Sequence, residues 1–292
     1  MGPEGFKLLA ALFYLAGAIL ALAGLRWASA REGPWPHVLL GLGLTVHSVS
    51  IGVHCARSET HFFTSLHESL WLFSWALAIG YLVALLGWGM RSLGTLLLPL
   101  CVALLVVSML SKEPGKAPPA GLASHPLFSV HVLSAILGYG LFLTACAVSL
   151  LYLLEQRLLK RKVFNALFRA LPSLEKMERA ETLCAWIGFV LFTVAVGTGA
   201  TMAKSSGQTA WYFEPMVIST WITWLVFLFL VVGRASGRLA GRATARTILI
   251  GGALVVCTFL LRHPFREEHK TTGRAPEPAP AALLLNPAEG AP

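Results

Sequence analysis

The chain has 292 residues, of which 56% are hydrophobic and only 13% are charged, and its mean hydropathy is +0.69. Soluble domains carry about 25% charged residues, so this composition excludes a water-soluble globular protein and indicates a protein solvated by lipid. The net charge of +9 comes largely from short segments between apolar runs, which is a topology signal and does not indicate nucleic-acid binding. The five cysteines form no CxxC pair, so neither zinc nor thiol-redox chemistry is indicated.

Apolar runs of roughly the length that an α-helix needs to cross the hydrocarbon core follow one another along the chain. They lie near 6–25, 38–55, 66–88, 93–110, 127–154, 183–203, 213–233 and 245–261. The first run has no basic segment before it and is too long for a signal-peptide core, so it is predicted to be a retained helix. The sequence predicts an all-α, polytopic membrane bundle of about eight transmembrane helices over residues 1–265. A disordered, Pro/Ala-rich tail is predicted for 266–292.

Basic residues between the spans predict the orientation of the bundle. They are concentrated between the fifth and sixth spans and between the seventh and eighth, at Arg157, Lys160, Arg161, Lys162, Arg169, Lys176, Arg179, Arg234, Arg238, Arg242 and Arg246. Because positive residues stay on the cytoplasmic side, both segments are predicted to face inward. An even number of spans then places both termini outside, on the periplasmic or extracytoplasmic side.

In this topology most of the histidines fall on the outer side. His54, His61, His67, His125, His131 and His263 lie at or beyond outer helix ends, whereas His37 faces inward. Imidazole is a common axial ligand of haem iron, and His131 and His263 lie at the same predicted depth on two different helices. Single interfacial histidines are also ordinary in membrane proteins, so ligation and a plain surface role both remain open.

Two further polar residues lie near these histidines. His47 is placed at mid-membrane, where a polar side chain indicates a functional site, although an interhelical hydrogen bond explains it equally well. Glu68, in "SLHESLWLFSW", lies near an outer helix end. It is either solvated or orients a histidine that binds a ligand.

Residues 211–224 read "WYFEPMVISTWITW" and are predicted to begin outside the membrane. Two interpretations are open for the aromatic residues at the start of this stretch. They form an interfacial belt, or they form a platform for a flat, apolar ligand. Trp221 and Trp224 fall within the seventh span, where helix packing is the default interpretation.

Three stretches in order carry a resemblance to a known family: "SLHESLWLFSWALAIGYL", "HVLSAILGYGLFLTACAVSLLYLLEQRLLKRK" and "AWIGFVLFTVAVGTGATMAK". With the outward Trp-rich segment after them, they resemble the integral-membrane cytochrome c assembly family, which includes CcsA and its smaller HemX-like relatives. The resemblance covers most of 36–262. The family's signature, similar to WxWDPKE, falls on 211–217, where its second Trp is Phe213, its Asp is Glu214, and its closing Lys-Glu is Met216-Val217.

The resemblance implies a protein of c-type cytochrome maturation in the bacterial cytoplasmic (inner) membrane. Such a protein transiently presents haem b on the outer face for attachment to apocytochrome c, with a CcsB-like or thiol-reducing partner. It implies His131 and His263 as axial ligands of the haem iron. The predicted haem-binding residues are His131, His263, Trp211, Phe213, Glu214, Pro215, His47 and Glu68.

The resemblance also sets limits on the function. The family's histidine near the inner end of the helix after the Trp-rich loop falls on Val232, so this ligand of a transmembrane entry site for haem is absent. His47 matches a histidine common in the HemX-like relatives, and the resemblance implies that it partly substitutes. The chain has no self-contained catalytic motif and is at most a subunit of a haem-attachment complex. The alternative is a HemX-like membrane regulator or assembly partner of haem biosynthesis, which need not bind haem. In that case the basic segment between the fifth and sixth spans would engage a cytosolic enzyme.

Overall fold

The structure is a computed structural model that describes residues 2–24, 33–57, 65–111, 125–205 and 211–261. All regular secondary structure in these ranges is helical, which confirms the predicted all-α class. The α-helices are α1 (Pro3–Ala23), α2 (Trp35–Arg57), α3 (Leu66–Trp88), α4 (Gly94–Leu110), α5 (Phe128–Lys160), α6 (Ala166–Ala170), α7 (Leu174–Ser205), α8 (Pro215–Ala235) and α9 (Arg242–Leu261). Two 3₁₀ turns, η1 (Arg91–Leu93) and η2 (Trp211–Phe213), precede α4 and α8.

Seven helices of the described chain, α1 to α5, α7 and α8, are long and apolar enough to cross a membrane. The helix α9 lies where the eighth span is predicted, and it packs against α8 and α5. The protein is therefore a multi-pass membrane protein, as the composition predicts. The predicted tail at 266–292 and the domain boundary before it lie outside the described residues.

The helices α5 and α7 extend beyond the apolar runs that predict them. The first continues to Lys160, past 154, and the second begins at Leu174, ahead of 183. The added turns are rich in Leu, Glu, Lys and Arg, which are strong helix formers, and an ion pair of 2.6 Å joins Glu175 to Arg179 one turn later. An apolar run marks only the stretch surrounded by lipid, so the helix continues past it wherever propensity allows.

The hydrophobic core has two parts. The helices α1 to α4 bury one part around Trp71, and α5, α7, α8 and α9 bury the other around Phe142 and Phe227, whose rings stack 3.5 Å apart. The helix α3 packs on α5 and connects the halves, while α5 and α7 share the most extensive packing. A Cβ on Gly138 would lie only 3.2 Å from the Gly188 carbonyl oxygen, so small residues allow these two backbones to approach closely.

Candidate functional site

His131 lies in the first turn of α5 and is held by α7. Its Nδ1 is 2.8 Å from the Ala195 carbonyl oxygen, and the Thr198 hydroxyl lies 3.5 Å from the same nitrogen. A carbonyl only accepts hydrogen bonds, so Nδ1 carries the proton and Nε2 carries the lone pair. An imidazole oriented in this way by a backbone carbonyl is suited to binding a metal through its other nitrogen.

A glycine on α7 makes room for this ring. A Cβ at Gly199 would lie 2.8 Å from Cε1 of His131, whereas a Cβ at Gly197, two residues earlier, would meet nothing within 4 Å. Both glycines belong to the "GTG" of the third stretch that resembles the assembly family. The close contact of His131 with the α7 backbone therefore depends on Gly199 and not on Gly197.

The Trp-rich stretch follows the same helix α7 along the chain. The turn η2 contains Trp211, Tyr212 and Phe213, and α8 begins at Pro215, where the fixed φ of proline suits the first helical position. The Tyr212 and Phe213 side chains are 49% and 70% exposed, and their ring centroids are 4.6 Å apart. Both the belt and the platform interpretation predict exposed aromatic rings, so exposure alone does not separate them.

The two tryptophans further along α8 differ from this turn. The Trp224 indole nitrogen donates to the Thr193 hydroxyl at 3.1 Å, and its ring lies 5.7 Å from that of Phe189. The Trp221 ring contacts Trp224 edge-on at 6.2 Å. Trp224 is therefore a packing residue between α8 and α7, as its position in the seventh span predicts.

A buried lysine organises the end of the bundle where α1 begins. The Lys7 side chain is fully buried, and its Nζ lies 2.6 Å from the Glu4 carboxylate and 2.7 Å from Nε2 of His67. The same ammonium group lies 4.1 Å from the centroid of the Trp71 ring. Sequence reasoning missed this residue, although an ionisable side chain inside the apolar run "FKLLAALF" was the available signal.

Both ring nitrogens of His67 are engaged within the bundle. Nε2 accepts from Lys7, so Nδ1 carries a proton and donates to the Ser108 carbonyl oxygen of α4. The Ser108 hydroxyl in turn donates to the His67 carbonyl oxygen at 2.9 Å. His67 therefore connects α1, α3 and α4, which is a structural task.

Glu68 has two tasks at the start of α3. It forms a capping box with Ser65: the Glu68 amide donates to the Ser65 hydroxyl at 3.1 Å, and the Ser65 amide donates to the Glu68 carboxylate at 3.3 Å. The other carboxylate oxygen lies 3.5 Å from Nε2 of His54 on α2. Glu68 therefore contacts His54, and its part in haem binding stays a prediction.

His47 is fully buried between α1 and α3. Its ring is nearly parallel to that of Trp71 at 6.2 Å, and its Nδ1 lies 3.3 Å from the Tyr14 hydroxyl. Its Nε2 is also buried and has no hydrogen-bond partner among the described residues. These contacts support interhelical packing as its role, and haem binding by His47 stays a prediction.

His263, the second predicted axial ligand, lies outside the described residues, as does His61. Within the described ranges, no group of three or more His, Cys, Asp or Glu side chains is placed to hold a metal ion. The predicted haem-binding residues thus fall into two groups. His131 and the residues of η2 belong to the half built on α5 and α7, whereas His47 and Glu68 belong to α2 and α3.

Long apolar helices define a multi-pass helical membrane protein, and one end of the bundle is rich in imidazole and aromatic rings. The profile of the family described as cytochrome C assembly protein matches residues 39–265. The chain therefore belongs to the cytochrome c assembly protein family, which confirms the resemblance that the sequence motifs carry.

Individual relatives are distant. CcsA, the cytochrome c biogenesis protein of Guillardia theta, is 24% identical over 245 residues, which are 76% of this chain and 81% of the relative. Protein HemX of Bacillus subtilis (strain 168) is 25% identical over 119 residues, 41% of this chain and 43% of the relative. Protein HemX of Brevibacillus brevis is 28% identical over 142 residues, 48% of this chain and 52% of the relative. The matched segments span about half of the length of these two HemX proteins.

Proposed function

We propose that the protein handles haem on the outer face of the bacterial cytoplasmic membrane during c-type cytochrome maturation. The observation that carries the proposal is the arrangement of His131, whose Nδ1 donates to the Ala195 carbonyl so that Nε2 keeps its lone pair. The family membership supplies the haem context. Haem is here the cargo, presented to apocytochrome c, and His263 is the proposed second axial ligand.

The residues of the described chain fit a flat, amphipathic ligand. The turn η2, which precedes α8, offers the exposed rings of Tyr212 and Phe213, and aromatic faces pack well on a macrocycle. Glu214 lies at the N-cap of α8 without a side-chain capping bond. Its carboxylate is thus not used in capping α8 and is available to a ligand next to η2, at the position of the acidic residue in the family signature.

The proposed function requires a partner protein, because this sequence contains no CxxC motif with which to reduce the apocytochrome thiols. The thioether bond of a c-type cytochrome forms when a cysteine thiol adds across a haem vinyl group, and this chain has no CxxC of its own. A CcsB-like or thiol-reducing partner would keep the apocytochrome thiols reduced. The contribution of this protein would be to orient the haem and to control ligation of its iron.

An absorption spectrum tests the proposal. The full-length protein, purified from haem-replete cells, is expected to show a Soret band that is lost in His131→Ala. His125→Asn is the matched control, because His125 lies just before α5 and accepts from the Leu127 amide at 3.2 Å, a bond that asparagine can replace. A colourless wild-type protein would overturn the proposal.

A second candidate is a HemX-like regulator or assembly partner of haem biosynthesis. The segment around α6 favours it, because all seven of its basic residues, Arg157, Lys160, Arg161, Lys162, Arg169, Lys176 and Arg179, are exposed. Such a surface attracts an acidic partner by long-range electrostatics. A deletion strain separates the candidates: loss of c-type cytochromes with normal total haem supports maturation, whereas reduced total haem supports regulation.

A further inference from the structure

The contact between Lys7 and His67 joins two helices whose backbones meet little. The helix α1 packs mainly along α2 and α4, and the Lys7 side chain reaches across to α3, where its Nζ lies 2.7 Å from Nε2 of His67. The same ammonium group lies 2.6 Å from the Glu4 carboxylate and 4.1 Å from the centroid of the Trp71 ring. The function proposed above makes no use of this contact.

The contact requires a neutral imidazole at His67. Its Nε2 accepts from the Lys7 ammonium group, and its Nδ1 carries the ring proton, which it donates to the carbonyl oxygen of Ser108, its uncharged neighbour on α4. A second ring proton would lie on Nε2, so that two positively charged donors would face each other across 2.7 Å. Such a pair repels and forms no hydrogen bond, so His67 cannot be protonated and keep Lys7 as its partner.

The charged and titratable groups around His67 are already engaged. On α1, the Glu4 carboxylate lies 4.0 Å from Nε2 of His67, but it pairs with Lys7 at 2.6 Å. On α3, the Glu68 carboxylate belongs to the capping box and lies 3.5 Å from Nε2 of His54 on α2. An imidazolium at His67 therefore gains Glu4 as a partner only when Glu4 exchanges Lys7 for it.

We propose that Lys7 and His67 form a pH-sensitive latch: protonation of His67 detaches Lys7 and loosens the first two turns of α1 from α3. The His67 side chain is 21% exposed, so protons reach it, and imidazole ordinarily takes up a proton between about pH 8 and 5. The attached state holds one proton fewer at His67, so acidification favours the detached state. The compartment that the latch senses is the one in which α1 begins, which the predicted topology places outside.

Hydrogen exchange of the full-length protein in nanodiscs, at about pH 8 and about pH 5.5, tests the latch. The readout is the protection factor of the amides of residues 7–14, that is, the intrinsic exchange rate divided by the observed rate, which removes the pH dependence of the exchange chemistry. His67→Gln keeps a side-chain oxygen for Lys7 but does not titrate, and Lys7→Met removes the ammonium group that an imidazolium would repel. His54→Gln is the matched control, because protonation of His54 strengthens its pairing with Glu68.

Acidification is expected to lower the protection of residues 7–14 roughly tenfold in the wild-type protein and in His54→Gln, because one hydrogen bond to a charged group is lost. Peptides of α5 should keep their protection. His67→Gln and Lys7→Met are each expected to show equal protection at both pH values, and the second keeps the test valid if the first does not fold. Constant protection in the wild-type protein would overturn the proposal, as would an undiminished loss in either folded variant. Loss of the pH dependence in His54→Gln would also overturn it, because His54 would then be the titrating group.

Discussion

The ammonium group of Lys7 lies 4.1 Å from the centroid of the Trp71 ring, in a position where the lysine side chain is fully buried. The first helix is thereby fixed to the third through a charge, an aromatic face and the imidazole of His67. A cation at such a site requires compensation, because burying an unpaired charge is costly. The end of α1 to α4 that contains Lys7 therefore has a buried polar cluster, in which Glu4, His67 and Trp71 compensate the charge.

A double-mutant cycle tests the Lys7–Trp71 contact. We expect Lys7→Met and Trp71→Leu to show a coupling free energy of about 1–2 kcal/mol in unfolding by SDS, because a desolvated cation–π contact is worth about that much. The control cycle uses Lys7→Met with Trp75→Leu, since the Trp75 indole nitrogen donates to the Ser48 hydroxyl on another helix. Equal coupling in the two cycles would contradict the assigned contact.

The capping box at the start of α3 predicts different effects for two substitutions of one residue. Glu68→Gln keeps a side-chain acceptor for the Ser65 amide and is expected to change the free energy of unfolding little. Glu68→Ala and Ser65→Ala each remove half of the box and are expected to cost about 1 kcal/mol. Ser111→Ala, at the end of α4, serves as the control, because the Ser111 hydroxyl donates only to a carbonyl of its own helix.

The two glycines of the "GTG" sequence give a matched test of the His131 position. Gly199→Ala places a methyl group 2.8 Å from Cε1 of His131, and relief of that clash is expected to cost about 1–3 kcal/mol. If the His131 ring must return to its original position to bind haem, this free energy is subtracted from the binding free energy, and haem affinity falls by roughly 5- to 150-fold. Gly197→Ala, with nothing within 4 Å, should leave the Soret band unchanged. An unaltered spectrum in Gly199→Ala would argue against ligation by His131.

Substitutions in η2 distinguish the belt from the platform. Phe213 is 70% exposed, so Phe213→Ala is expected to change stability by no more than about 0.5 kcal/mol. If the ring supports haem, the substitution lowers the haem content of the purified protein several-fold, as does Trp211→Ala. Met216→Ala, an exposed apolar residue at the start of α8, is the control. Haem content that is unchanged in both aromatic variants would identify the turn as an interfacial belt.

The extent of each helix was only partly predictable from the apolar runs. Seven of the predicted spans are present as long apolar helices, because a stretch of about 20 apolar residues leaves few alternatives in lipid. The first part of α7, residues 174–182, was not predicted, because the apolar run begins only at 183 and the residues before it are rich in charge. That added part contains Glu181, which is fully buried and accepts from the Ser149 hydroxyl at 2.6 Å.

The sequence by itself determined the membrane class, the order of the spans and the family, because hydropathy and motif order are properties of the linear chain. Only the tertiary structure decided which histidines are already engaged. His67 is held by Lys7 and Ser108, His54 by Glu68, and His131 by Ala195. Each of these contacts joins different helices, and which face of one helix meets another depends on helix rotation and packing, which the spacing of residues along one span does not encode.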